Sequence, residues 1–338
     1  MQNKFGADMP GGAVSFFVPH LGCMHNCSFC DQRSISGKSE PPESGDIRAV
    51  LEQAIERHGA GARNMQIAFF GGSFTAIEKS EMHRMLGTAA DFCGEGRFSG
   101  IRISTRPDCI TPEILCDIAR YPVTDIELGA QSMDDEVLRR NMRGHTAGDT
   151  INAAKMIHET GFRLTLQMMT GLPGDTPDGA MQTARQIANL RPDAVRIYPV
   201  IVLRGTLLER WLAEGAYIPQ PLEDAVELCA ELLCFFTDLE IPVIRLGLHE
   251  SDGIRENYIA GPYHPAFREL CEGKALVERL MLQIKALPPG LVCIWVHPKS
   301  VSTLTGHGRR ALEPLERAGY SPVIKPDEGL GYLQVAVR

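Results

Sequence analysis

Cys23, Cys27 and Cys30 lie on one short stretch, PHLGCMHNCSFCDQRSISG, with CxxxCxxC spacing. Three thiolates that close in sequence form a soft-ligand metal site. They can hold three irons of a cubane cluster and leave the fourth open to a substrate. The residues alone also permit a closed zinc site, the three thiolates joined by His20 or His25. The other cysteines show no ligand spacing and read as buried or incidental, with Cys109 beside Pro107-Asp108 read second as a further ligand or radical-quenching thiol. A basic run, Arg139, Arg140, Arg143 and His145, reads either as a solvated helix end or as an anion contact. His249, Tyr263 and His264 read first as satisfied loop residues and second as catalytic ones.

The cysteines need a scaffold, and the chain up to Gly247 supplies one. Short apolar runs at 14–18, 65–70, 101–105, 125–130, 163–170 and 194–199 alternate with amphipathic stretches at 45–58, 79–90, 112–119, 134–141, 147–160 and 177–190. Six strand-then-helix units predict an α/β fold, a partial (βα)6 TIM-like barrel with a parallel sheet. Two more helices are expected at 206–214 and 222–238. GGSFT, RPD, QSMDD and GLPGDT follow successive strands, and in such folds the carboxyl ends of strands carry the reactive site.

The domain organisation expected is a barrel over 1–247, a His- and Gly-rich excursion with a connecting helix over 248–290, and a small α+β unit over 291–338. Across 338 residues, 44% hydrophobic and 22% charged composition excludes a disordered, collagen-like or coiled-coil chain. The N-terminus MQNKFGADMPGG has no apolar leader core and no stretch is long enough to span a bilayer, so a cytoplasmic protein without a membrane partner is expected. A net charge of −8 argues against broad adhesion to nucleic acid and leaves room for a local basic site.

CxxxCxxC after the first strand, with Phe29 just before Cys30, resembles the radical S-adenosylmethionine (SAM) superfamily. FFGGSFT, ISTRPD, IELGAQSMDDEVLRRNMRGHT, MTGLPGDT and IYPVIVLRGTLLERW, in that order, are more narrowly similar to the radical domain of the Elongator catalytic subunit. The resemblance covers about residues 14–245. It implies that Cys23, Cys27 and Cys30 ligate a [4Fe-4S] cluster whose open iron chelates SAM. Gly71, Gly72 and Ser73 match the motif whose backbone meets the methionine amino group, where only glycine lets backbone come close. By the same resemblance Gln131 and Ser132, with Gly171 to Gly174, line ribose and adenine. Ser104 stands where the Elongator subunit has glutamate, which puts a carboxylate contact to cofactor or substrate in doubt. A one-electron donor such as flavodoxin or ferredoxin is implied, and the reaction is reductive cleavage of SAM to a 5′-deoxyadenosyl radical.

The C-terminal unit concentrates positive charge, with Lys299, Arg309, Arg310, Arg317 and Lys325 against Glu313 and Glu316. Strand, TGHGRR turn, helix and strand resemble a KH-like RNA-binding unit, although GHGR lacks that motif's final glycine. Lys299, His307, Arg309 and Arg310 are the nucleic-acid candidates. Too few residues follow Leu291 for the acetyltransferase domain of the Elongator subunit, so acetyl transfer is not expected. The substrate expected is tRNA or another RNA. A small metabolite or porphyrin-like substrate is the alternative, and a non-catalytic metal- or RNA-binding scaffold is the reading from another class.

Overall fold

The computed structural model of the chain describes residues 12–18, 27–30, 40–248, 252–285, 287–305 and 311–337. Strand and helix alternate through β1 (Ala13–Val18), α1 (Ser44–His58), β2 (Gln66–Gly71), α2 (Lys79–Ala90), β3 (Ile101–Thr105) and α3 (Pro112–Ile118). The alternation continues with β4 (Val123–Gln131), α4 (Asp135–Arg140), α5 (Ala147–Thr160), β5 (Arg163–Thr170), α6 (Pro177–Asn189) and β6 (Ala194–Pro199). There follow β7 (Val202–Leu203), α7 (Leu207–Ala213), α8 (Leu222–Asp238), β8 (Val243–Leu246), α9 (Asp252–Asn257), β9 (Tyr258–Ala260) and α10 (Phe267–Ile284). The last part is β10 (Leu291–Val296), α11 (Pro298–Thr305), α12 (Glu313–Arg317), β11 (Ser321–Pro326) and β12 (Val335–Val337).

Seven strands form one parallel sheet in the order β1-β2-β3-β4-β5-β6-β8. Each strand joins the growing edge, and crossovers of one hand then leave the crossover helices on one face. The sheet curls into a half-barrel whose edge strands, β1 and β8, have no partner on their outer sides among the described residues. Six strands were expected and a seventh, β8, completes the wall. Its apolar run is only four residues long and contains Arg245, so it does not stand out in the sequence. Thr111, Thr146, Thr176 and Thr206 cap α3, α5, α6 and α7 by accepting backbone N–H bonds, each worth about 1 kcal/mol. The caps at Thr111, Thr176 and Thr206 fix helix starts that sit a few residues past strand ends.

Parallel strands are normally apolar on both faces, but here the faces differ. On β3, Ile101 and Ile103 are buried under the helices, while Arg102 and Ser104 line the hollow of the half-barrel. Ile126 and Leu128 alternate with Asp125 and Glu127 on β4, and Val195 and Ile197 with Arg196 and Tyr198 on β6. The period-2 pattern is that of a sheet whose second face meets polar content.

The main hydrophobic cluster runs from Phe16 to Val335, with Phe69 and Phe74 stacked at 5.1 Å near one end. Cys229 of α8 and Cys271 of α10 are buried in it, as are Val292, Ile294 and Leu315 of the C-terminal unit. That unit is a three-stranded sheet, β11-β10-β12, with β10 parallel to β11 and antiparallel to β12. α11 has no counterpart in the strand, turn, helix and strand expected there, and the helix expected after the TGHGRR turn is α12. No described helix is long and apolar enough to cross a membrane.

Candidate active site

Cys27 and Cys30 sit on a turn at the carboxyl mouth of the sheet, closed by Cys30 N–H donating to Cys27 O at 3.1 Å. Cys23, with His20 and His25, lies outside the described residues. The turn is held from two sides. Ser28 donates N–H to Asn141 O (3.1 Å) and its hydroxyl to Asn141 Oδ1 (2.7 Å), and Ser28 O accepts from Leu208 N at 3.0 Å. Asn141 is fully buried and donates Nδ2 to Val137 O (2.8 Å) and Pro173 O (3.0 Å). One side chain thus ties the cysteine turn to α4 and to the loop after β5.

Cys27 and Cys30 share a cavity of about 100 Å³ with Gly71, Gly72, Ser73, Ser104, Gln131 and neighbours. Gly71 has φ +120°, and a Cβ there would meet Val18 O at 2.6 Å and the Phe17 ring at 2.7 Å. Its constraint therefore comes first from β1 of its own sheet. Gly72 N–H donates to Val18 O at 2.9 Å, which binds the glycine pair to β1. Ser73 Oγ lies 2.7 Å from Thr105 Oγ1 and accepts from Arg106 N at 3.2 Å, so its hydroxyl fixes the cavity wall.

Gln131 is buried with φ +66°, next to a register shift between Gly129 and Gln131. Bulges of this kind re-aim side chains beside active sites. Gln131 Oε1 accepts from Gln167 Nε2 at 3.0 Å across the cavity floor.

Three residues expected with this group lie elsewhere. Ser132 is buried, accepts from Asp134 N at 3.1 Å, and faces Thr183 rather than the cavity. Gly171 and Gly174 line a separate cavity of about 370 Å³ with Tyr217 and Gln220. Of the nucleic-acid candidates, Lys299 is exposed at the start of α11, and His307, Arg309 and Arg310 lie outside the described residues. His264 Nδ1 accepts from Ala266 N, as a satisfied loop histidine would, and His249 lies outside the described residues.

The basic run splits by environment. Arg139 is exposed and pairs with Glu136, while Arg140 lies against Gly174. Arg143 is buried, with Nη1 3.2 Å from Cys27 Sγ and Nη2 2.7 Å from Gly129 O. His145 is buried with Nε2 at Ala130 O, and burial, reinforced by the Arg143 charge, pushes its pKa down to about 4.

Sequence reading passed over Thr105, Arg106, Glu127, Gly129 and Gln167, which also line the cavity. The polar residue at every second strand position was the available signal.

These residues suit a cluster with SAM. Cys27 is 8% exposed with the Arg143 guanidinium 3.2 Å from its sulfur, and Gly71 and Gly72 present backbone without side chains at the adjoining wall. Cys27 and Cys30, with Cys23, would hold the cluster.

The family model of the radical SAM superfamily matches residues 17–187, and that of the Radical_SAM C-terminal domain matches 192–293. The chain is 25% identical over 288 residues to tRNA uridine(34) acetyltransferase of Dehalococcoides mccartyi, covering 72% of this chain and 63% of that protein. It is 30% identical over 281 residues to Elongator complex protein 3 of Homo sapiens, covering 74% and 51%. The chain thus spans between half and two-thirds of these two relatives. The fold matches archaeal Methanocaldococcus infernus Elp3 with a TM-score of 0.60 at 21% identity, over 80% of this chain and 63% of that one.

Proposed function

Because the chain belongs to the radical SAM superfamily, an enzyme family that uses a [4Fe-4S] cluster and SAM, we propose that it is an RNA-modifying radical enzyme acting on tRNA. The observation that carries the cofactor half is the meeting of Cys27, Cys30, Gly71, Gly72 and Gln131 around one cavity. The RNA half is supported by relatives named as tRNA uridine(34) acetyltransferases and by the basic C-terminal segment.

Cys27 and Cys30, with Cys23, would hold a cluster that would supply, when reduced, the electron for reductive cleavage of SAM. The chain's own residues do the positioning. Arg143 holds a positive charge against Cys27 Sγ, and Asn141 fixes the turn that carries the cysteines. Gly71 and Gly72 leave room for the methionine end of SAM, and the Gln131–Gln167 pair presents amides to its nucleoside end. Glu127 is the carboxylate nearest in role to the one absent at Ser104, since the two are register partners on adjacent strands and line the same cavity.

The test is anaerobic reconstitution with iron and sulfide, then reduction in the presence of SAM, with 5′-deoxyadenosine measured with and without bulk tRNA. Cleavage stimulated by tRNA supports the proposal. Cleavage indifferent to tRNA removes its RNA half, and a fully loaded cluster that cleaves nothing removes the rest.

A further inference from the structure

Toward the amino ends of the strands the hollow of the half-barrel widens into a second cavity of about 720 Å³. It shares Ser104 and Glu127 with the cysteine-side cavity and is lined also by Arg102, Arg196, Arg245 and Arg268. Ser15 of β1 and Arg245 of β8 both line it, so it reaches the open side of the half-barrel.

The arginines are not equally occupied. Arg196 lies 2.9 Å from Glu127, and Arg268 lies 2.6 Å from Glu272 while also donating to Val243 O and Tyr332. Asp125 already accepts from Arg163 twice (2.8 and 3.1 Å), from Thr124 and from Gln66. Arg102 comes only within 3.8 Å of that carboxylate. Arg102 is 7% exposed, its Nε is sealed from solvent, and its guanidinium makes no hydrogen bond among the described residues. Arg245 uses only Nε, on Gly247 O at 3.0 Å, and its guanidinium pKa is lowered by burial and by the nearby Arg196 and Arg268 charges. Among the described residues the ion pairs of this region join Arg102 and Arg163 to Asp125, Arg196 to Glu127 and Arg268 to Glu272, so Arg102 shares its carboxylate with Arg163 and Arg245 enters none of these pairs.

A desolvated guanidinium with N–H donors left unbonded is unfavourable, and its planar fork matches two oxygens of a phosphate. We propose that Arg102 and Arg245 form a phosphate-binding end of the substrate cavity. A doubly charged phosphoryl group sits between them, and the rest of the ligand extends past Ser104 and Glu127 toward Cys27. The assignment rests on the reading of the cysteine-side cavity as the reaction site. The phosphate belongs either to a nucleotide of the RNA or to a separate small molecule.

The test titrates inorganic phosphate into the full-length protein at low ionic strength, followed by calorimetry and by the rise in Tm. Wild type shows one saturable site. R102M and R245M each weaken it about tenfold or more, R102K, which keeps the charge and loses the planar fork, weakens it less than R102M does, and R48M, changed at an exposed residue of α1, leaves it unchanged. Circular dichroism checks each variant's fold, and R245M carries the test if R102M does not fold. Displacement of phosphate by tRNA identifies the RNA as the source, and no displacement identifies a small molecule; each supports the site. Absence of saturable binding, or equal affinity in wild type, R102M and R245M, overturns it. Phosphate binding needs neither SAM cleavage nor tRNA, so an RNA reading that fails leaves this result standing.

Discussion

Arg143 holds Nη1 3.2 Å from the sulfur of Cys27 while its Nη2 donates to Gly129 O, although Arg143 and Cys27 are 116 residues apart in sequence. The guanidinium is buried, so its charge acts on the sulfur with little screening. It links the cysteine turn to the bulged end of β4.

Removing that charge disfavours the added electron of a reduced cluster. Arg143→Met is expected to lower the cluster midpoint potential by on the order of 60 mV, about a tenfold shift for a one-electron couple. An electron paramagnetic resonance redox titration reads it. An unchanged potential would show that Arg143 only braces the loop.

Cys27→Ala and Cys30→Ala remove thiolates from the cavity wall. Each variant, after anaerobic reconstitution, is expected to lose the visible absorption of the cluster and all 5′-deoxyadenosine formation. A protein that stays brown with wild-type iron and sulfide content would mean that the ligands are other residues.

Gly71→Ala places a Cβ 2.6 Å from Val18 O at φ +120°. Backbone is the obstacle, so no side-chain rotation relieves it. The expected cost is about 2 kcal/mol or more, read as a lower denaturant midpoint. An unchanged midpoint would show that β1 moves aside freely.

Asn141→Ala leaves the hydroxyl of Ser28 and the carbonyl of Pro173 without the partners they have now. A loss of roughly 1–3 kcal/mol is expected, together with weaker cluster retention during desalting. Stability lost without any change in retention would place Asn141 in the fold and outside the site.

His145 is held neutral by burial first and by the Arg143 charge second, its pKa lowered from 6.5 to about 4. The unfolded chain therefore binds the proton more readily. Stability is complete above about pH 6.5 and falls as pH drops toward 4, by up to about 3 kcal/mol. His145→Asn should flatten that slope in denaturant titrations run at pH 7.5, 6 and 5. The same slope in both proteins would assign it to other groups.

The cysteine spacing, the Gly71-Gly72 pair and the alternation of apolar runs were legible because each is a local pattern. A metal loop, a close backbone approach and a strand period are each set within a few residues. β8 escaped because four residues with an internal arginine carry too little periodicity. Ser132 follows Gln131 directly, and a chain leaving a strand sends neighbouring side chains to different places: Gln131 lines the cavity and Ser132 faces Thr183.

The amino-acid sequence by itself determined the family, the half-barrel and the chemistry available to its mouth, since these follow from residue types at short spacings. Only the tertiary structure decided which charges meet. Arg102, Arg196 and Arg245 lie on three strands, and their convergence depends on the register of β3, β6 and β8 and on the curl of the sheet. Arg143 and Arg139 look alike in the chain, yet one is buried against Cys27 and the other is exposed against Glu136. That difference comes from long-range packing, which no spacing within the sequence encodes.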